Sequence, residues 1–353
     1  SAASSEIYQD LHGEGTFTGK GLLNVQAMHA VLAGRLPEGS VLSHDLLEGS
    51  MVRCATVTDI ALVEDAPFHA DVAASRVHRW TRGDWQLLPF LLQPRRYGLR
   101  AVNAWKLFDN LRRSLVAPMS LGLLLLSLAG VGVSPWVALG LVLAAFAAGP
   151  AMGAVAGFLP GRADLARGYF FSAAARDVVR ALGSGLYLLA QLLQQALMAV
   201  DAIVRALYRL LVSRRHLLQW TTAAAAQAAA SVDLRVVARG HASEPVVALV
   251  LFGLLLAAGT PYPVFSAALC LLWAASPLTT WWVSRPRPAR ADAELPPAER
   301  MRLEDIARDT WRLFERVIGP DDRFLPPDNL QTLPHDMVAH RTSPTNIGLY
   351  LLS

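Results

Sequence analysis

The chain alternates between long charge-free runs and polar, arginine-studded segments. From Ser114 to Gly161 and again from Pro245 to Ser284 it continues for about 48 and about 40 residues without a charged side chain. One helical span of a bilayer needs about 20 apolar residues, so each run has the length of a two-helix hairpin. The turns are predicted at Gly132-Val133-Ser134-Pro135 and at Gly259-Thr260-Pro261-Tyr262-Pro263, where glycine and proline end helices. Between the hairpins, Arg176, Arg180, Asp201, Arg205 and Arg209 punctuate an apolar helical period that also carries Gln191, Gln194 and Gln195. A third crossing over Ala181 to Val200 has the length, but alone it would carry Arg205, Arg209, Arg214 and Arg215 to the far side. The pattern predicts amphipathic helices along the inner face instead, with arginines reaching to headgroups.

Ahead of the first hairpin the pattern is shorter and mixed. Val25 to Leu32 reads as a short helix and Thr56 to Val63 as a strand, so an α/β region is expected in the first hundred residues. After the second hairpin, Ser284 to Arg290 is a Pro/Arg exit, and Leu295-Pro296-Pro297 opens a helix whose Ile306, Trp311, Phe314 and Val317 are expected to face a core. The segments expected are 1–100, an interfacial linker 101–113, hairpin 114–161, amphipathic helices 162–242, hairpin 243–284, and a linker with the start of a further domain at 285–353.

Composition agrees with this division. The chain is 53% hydrophobic and only 17% charged, as for a membrane protein with soluble parts. Its +4 balance rests on arginine, since lysine occurs only at Lys20 and Lys106. Arginines bracket both hairpins: Arg112 and Arg113, Arg162 and Arg167, Arg235 and Arg239, Arg285 and Arg287. By the positive-inside rule every hydrophilic segment is expected in the cytoplasm, and membrane topology rather than nucleic acid accounts for the basic balance. Cys54 and Cys270 stand in unlike contexts and point to neither a disulfide nor a zinc site. The start at Ser1, with no initiator methionine or leader, reads as part of a longer polypeptide.

The first hundred residues hold the candidate chemistry. Transfer of a sugar from a nucleotide diphosphate needs a carboxylate to take the acceptor hydroxyl's proton. Asp45, between Val41-Leu42 and Leu46-Leu47, is the candidate base, and spacing alone leaves a helix-capping role equally open. Glu64-Asp65, before Pro67, reads as an ordinary turn. The leaving diphosphate needs cations. Arg76, Arg79 and Arg82 recur every third residue on one side of a helix, with Trp80 and Trp85 as flat faces for a sugar ring. A basic, aromatic interfacial helix without a ligand would show the same residues. No Asp-x-Asp pair for a divalent metal precedes Asp45.

Phe17-Thr18-Gly19-Lys20-Gly21, then His44-Asp45, then Arg76-x-x-Arg79-Trp80 is similar in order and spacing to the acceptor-site, catalytic-acid and Gln-x-x-Arg-Trp motifs of the family 2 processive glycosyltransferases. More narrowly, Glu6 to Asp10, Gly13-Glu14-Gly15, Leu42 to Gly49 and His78 to Gln86 resemble the cyclic β-1,2-glucan synthases, and Leu325 to Asn329 with Val338 to Ser353 resembles the segment leading into their glucoamylase-like domain. The resemblance implies a mixed fold: the C-terminal part of an α/β GT-A-type glycosyltransferase domain, followed by α-helical transmembrane hairpins and amphipathic helices. It implies a bacterial inner-membrane enzyme that extends a β-1,2-glucan acceptor from UDP-glucose, with a divalent metal (Mg or Mn) bound upstream of Ser1 and ring closure by other domains of the same polypeptide. By the same resemblance Asp45 is the base, Arg79 and Trp80 contact the diphosphate and the acceptor end, and Phe17, Gly19 and Lys20 belong to an acceptor-site wall, with a phosphate contact and a solvated loop position equally open for Lys20. Arg76 stands where the broad family has Gln and adds a charge near the diphosphate. A cellulose- or hyaluronan-type synthase and a non-catalytic membrane anchor are the alternatives, and an isolated piece without the donor site is expected to be inactive.

Overall fold

The computed structural model describes residues 7–19, 21–37, 39–57, 67–156, 167–286, 296–332 and 335–352. The chain forms two compact units, Ser1–Pro286 and Arg287–Ser353. In the first, the regular secondary structure of the described residues is helical. It begins with α1 (Ile7–His12), α2 (Val25–Leu32) and α3 (Asp45–Val52), continues through α4 (Ala70–Gln86) and α5 (Leu88–Leu92), and enters the long α6 (Ala101–Leu128) and α7 (Pro135–Ala156). It then passes through α8 (Arg167–Ala190), α9 (Leu192–Tyr208), α10 (Ala223–Ala229) and α11 (Leu234–Gly240), and ends with α12 (Ser243–Ala257), α13 (Pro263–Ala274) and α14 (Ser276–Val283).

The helix expected at Val25–Leu32 is present, its first turn closed by the Asn24 side chain accepting the Ala27 N–H. The strand expected over Thr56 to Val63 is not formed at Thr56 and Val57, and residues 58–63 lie outside the described residues, as do Glu64 and Asp65. Thr56 exchanges both its backbone groups with the Gln9 side chain, so a side chain takes the place of a neighbouring strand. Among the described residues of this region there is no sheet, and the α/β expectation is replaced by short helices and loops.

Both hairpin turns fall where the sequence puts them. Gly130 and Gly132 adopt φ of +82° and +80° between α6 and α7, and Gly259 adopts +70° between α12 and α13. The helices on either side differ from four equal spans. Among the described residues only α6 is by itself long and apolar enough to cross a membrane; α11 with α12 and α13 with α14 reach that length only as pairs bent by 52° and 42°, and the apolar part of α7 is Pro135–Ala148. The stretch expected to lie along the inner face is also more deeply engaged. The end of α8 and the start of α9, through Leu189, Leu192, Leu193 and Ala196, share one core with Leu124, Leu128, Val142, Leu255, Cys270 and Trp273. Gln191, at the break between α8 and α9, is buried there and donates to Ser276 O, Thr279 Oγ1 and Thr280 Oγ1.

The second unit holds α15 (Pro297–Val317), a two-stranded antiparallel ladder of β1 (Leu330–Gln331) with β2 (Met337–Val338), and α16 (Pro344–Leu352). Instead of facing a closed core, Ile306 is exposed, and Trp311 and Phe314 of α15 gather against Tyr350 of α16. His340 pairs with Asp322 and Asp336 with Arg316.

Candidate functional site

The loop ahead of α3 is fixed by what lies beneath it. Leu47 is fully buried with Leu87, Phe90, Leu99 and Leu107, and Val41, Leu46 and Met51 flank them, so one face of α3 is seated on α5 and the start of α6. Polar contacts lace the preceding segment to the same base. Lys106 donates to Gly15 O at 2.8 Å, Asn103 donates to Ser50 O at 3.0 Å, and Arg100 reaches the buried Glu14 carboxylate at 3.0 Å. The Gly13-Glu14-Gly15 motif is therefore a stitch between the amino-terminal loop and α6.

Asp45 is the first residue of α3, and the N-cap position falls to His44, whose side chain makes no capping bond. Asp45 is thus free of the capping role, although an acid in the first turn still interacts favourably with the helix dipole. Its carboxylate meets the Phe17–Gly21 loop. A Cβ built on Gly19 would fall 2.9 Å from Asp45 Oδ2, and Gly19 itself has φ of +91°, so glycine alone allows this approach. Gly49, one turn along α3, would place a Cβ 2.4 Å from that of Phe17. The structure thereby brings Phe17, Gly19 and Asp45 together, while Lys20 lies outside the described residues.

The Arg/Trp segment forms α4, and two contacts join it to the Asp45 loop. A Cβ on Gly83 would lie 2.3 Å from that of Ser43, and Gln86 Oε1 accepts the Leu42 N–H at 2.9 Å. Arg76, Arg79 and Gly83 are spaced i, i+3, i+7 and so share the face that meets Ser43. Arg76 lies over the Trp80 ring at 4.5 Å, and Trp80 is 42% exposed. Arg79 lies over Trp220 at 4.6 Å, a partner from a distant segment. Both distances are those of cation–π contacts, which tie each guanidinium to an aromatic face.

His44 Nδ1 takes Glu48 Oε2 at 2.9 Å, and the ligand atoms of His44, Asp45 and Glu48 lie within 4.8 Å of one another. The set suits a divalent metal poorly, because the half-exposed imidazole is already engaged and none of the buried unpaired polar atoms is found among these three residues.

A second layer ties α4 to the helices that follow. Gln86 Nε2 donates to Leu217 O, Arg82 to Gln219 O, and His78 pairs with Asp201 at 2.8 Å. At its amino end the buried His69 accepts the Asp71 N–H and meets Ser231 O, and Ala70 N–H reaches Ser284 Oγ. His241, at the elbow before α12, lies 2.8 Å from Asp71 and 3.1 Å from Glu244. Hydrogen bonds to Asp71 and then Glu244 push its pKa up to about 9, against the effect of burial. Burial pushes the Asp84 carboxyl up to about 6, despite the Asn110 amide and nearby Arg113. The pairs that join α4 to distant elements were not legible in the sequence, because they are separated by 26 to 214 residues and lack a local motif.

No protein-family model matches the chain. A curated relative does: over 354 residues, 99% of this chain, it is 42% identical to the cyclic beta-(1,2)-glucan synthase NdvB of Rhizobium meliloti (strain 1021). The chain spans about 12% of that relative's length. With identity at this level over nearly its whole length, the chain belongs to the cyclic β-1,2-glucan synthase family.

Proposed function

We propose that this segment supplies the acceptor side of a membrane glycosyltransferase that passes glucose from UDP-glucose to a growing β-1,2-glucan. The observation that carries the reading is the close approach of Gly19 to the Asp45 carboxylate, which gathers the acceptor-type loop and the candidate base at one spot. In the step, Asp45 takes the proton of the acceptor hydroxyl as its oxygen bonds to the anomeric carbon; the bond from that carbon to the diphosphate breaks, and UDP carries the electron pair away. Arg79, with Arg76 beside it, offsets the charge gathering on the diphosphate, and Trp80 offers its ring to the acceptor sugar. The donor nucleotide and its divalent metal are held by other parts of a longer polypeptide, for which the greater length of the relative leaves room. The donor half of the GT-A-type domain belongs there too, with residues 1–100 as its C-terminal half. The hairpins built on α6–α7 and α12–α13 seat the segment in the bacterial inner membrane with its hydrophilic parts in the cytoplasm, a reading supported by the arginines outside both charge-free runs.

The test is incorporation of labelled glucose from UDP-glucose by membranes containing the full-length protein with Asp45→Asn. A general base contributes roughly 10²–10⁴ in rate, so synthesis is expected to fall by about that factor at unchanged protein abundance. Undiminished synthesis would reduce Asp45 to a first-turn helix acid and leave the membrane-anchor reading in its place.

A further inference from the structure

A cavity of about 300 Å³ opens between the amino-terminal half of α4, α10 and α11. Small and aliphatic side chains make much of its wall, among them Val72, Ala226, Ala229 and Val237, and its polar groups include the Asp71 carboxylate and the Ser75 hydroxyl. The volume equals that of about ten waters in the liquid, which is more than a bare ion needs.

Asp71 brings an unused acceptor to this wall. Its Oδ1 takes His241 Nε2 at 2.8 Å, while Oδ2 stands 3.9 Å from His69 Nδ1, too far for a hydrogen bond. His69 has no proton to offer there in any case. Its Nε2 meets the Ser231 carbonyl and so carries the proton, and its Nδ1 accepts the Asp71 N–H. Among the described residues these two imidazoles are the ion-pair partners of Asp71. The His241 imidazolium is shared in turn, because its Nδ1 meets Glu244 Oε1 at 3.1 Å. Two carboxylates therefore face one cation, and the cluster beside the cavity holds one negative charge in excess.

The cavity also lies where the second charge-free run begins and ends. α11 passes through the elbow at His241 into α12, and the Ala70 N–H at the start of α4 reaches Ser284 Oγ just after α14. The exposed Arg235 and Arg239 stand one turn apart on α11. A primary ammonium on a short aliphatic arm answers this chemistry: the N–H groups bond Asp71 Oδ2 and Ser75, and the arm lies along the valine and alanine wall. A phosphate at the far end of the arm meets the α11 arginines. A hydrated metal ion would face mostly apolar wall, and a sugar would find no aromatic face among the lining residues.

We infer that this cavity binds the ammonium of an ethanolamine-type phospholipid headgroup. The inference rests on the membrane placement of the hairpins and owes nothing to the role of Asp45. A soluble polyamine offers the same ammonium group, and the experiment separates the two sources.

Full-length protein in detergent is equilibrated with equal amounts of dioleoylphosphatidylethanolamine and dioleoylphosphatidylcholine, washed, and its retained lipid quantified by mass spectrometry. The ethanolamine lipid is expected to be retained at least about tenfold over the choline lipid, whose trimethylated nitrogen has no N–H for Asp71. Asp71→Asn keeps the volume and an acceptor for His241 and should abolish the preference. Ala226→Phe fills the cavity, leaves the Asp71–His241 pair in place, and should abolish it too. Asp177→Asn, at an exposed acid of α8, should leave it unchanged. If spermidine displaces the ethanolamine lipid at concentrations below that of the lipid, the ammonium site stands and its ligand is a soluble amine. Equal retention of the two lipids by the unsubstituted protein, or a preference unchanged in both cavity variants, overturns the proposal. Flotation with liposomes reads the membrane placement separately: a chain that does not float fails that reading, and one that floats without the lipid preference fails only this proposal.

Discussion

The helix bundle of the first unit contains two regions built on opposite principles. Around Leu124, Leu128, Val142, Leu192, Leu255 and Trp273 the helices meet through apolar side chains with almost no exposed surface. Around α4 they meet through Gln86, Arg82, His78 and His241, each bound to a partner far away in sequence. Apolar packing is non-directional and tolerates small shifts, whereas a hydrogen bond is largely lost with a displacement of about 1 Å. The hairpin core thus supplies the bulk of the adhesion, and the polar seam sets where α4 stands relative to the Asp45 loop.

Breaking the apolar side should have the largest effect. Trp273 is fully buried in that core, and its indole N–H donates to Leu189 O. Trp273→Ala is expected to cost about 3–5 kcal/mol, through the cavity left behind and the orphaned carbonyl. Trp273→Phe, which keeps most of the ring, should cost clearly less. Denaturant unfolding of the purified protein measures both, and a loss under about 1 kcal/mol for the alanine variant would show that the core is looser than its burial indicates.

The seam should respond instead to pH. The folded pKa of His241 is about 9 against an ordinary 6.5, so the folded state holds that proton more tightly. The resulting stabilisation is fully present below about pH 6.5 and is lost as the pH rises through 9, with a magnitude of about 3 kcal/mol. The groups facing the imidazole are Asp71 from α4, Glu244 from α12 and the Gln194 amide from α9. Asp71 is held below the ordinary carboxylate range because the bond and charge of His241 outweigh its burial, so its own contribution disappears only in acid. His241→Gln should flatten the fall in stability between pH 6.5 and 9 relative to the unsubstituted protein. A fall of the same size in both would show that the pairing of His241 with Asp71 and Glu244 does not set the pH dependence.

The same contrast explains what could be read in the sequence. Charge-free runs and the Gly/Pro punctuation at 132–135 and 259–263 are local signals, and the turns stand where they predict. The helix breaks at Gln191 and Ala275 were missed, because neither residue is a strong breaker and tertiary contacts decide the bends. At Thr56 the expected strand does not form, because alternation over a few residues does not reveal that Gln9 occupies its backbone groups. Within the site, the grouping of Phe17, Gly19 and Asp45 agrees with the order of the motifs. Trp220, Gln219 and Asp201 lie more than 120 residues from the α4 side chains they meet, where spacing conveys nothing.

Gln86 sharpens the comparison most finely, since it is one buried side chain serving both loops that flank α4. Its carbonyl oxygen accepts the Leu42 N–H, three residues before Asp45, and its amide donates to Leu217 O, three residues before Trp220. Gln86→Met retains the volume and leaves both backbone groups without that partner. The expected cost in stability is about 1–2 kcal/mol, the smallest of the three, because loop backbone can recover part of its hydrogen bonding from water. Synthesis should nevertheless fall out of proportion, since both the Asp45 loop and the Trp220 loop lose their anchor to the same helix. Gln86→Glu restores an acceptor for Leu42 but no donor for Leu217, so comparing the two variants by unfolding and by glucose incorporation separates the two ends of the link. If both variants synthesise at the unsubstituted rate, the seam stabilises α4 without setting the geometry of the site.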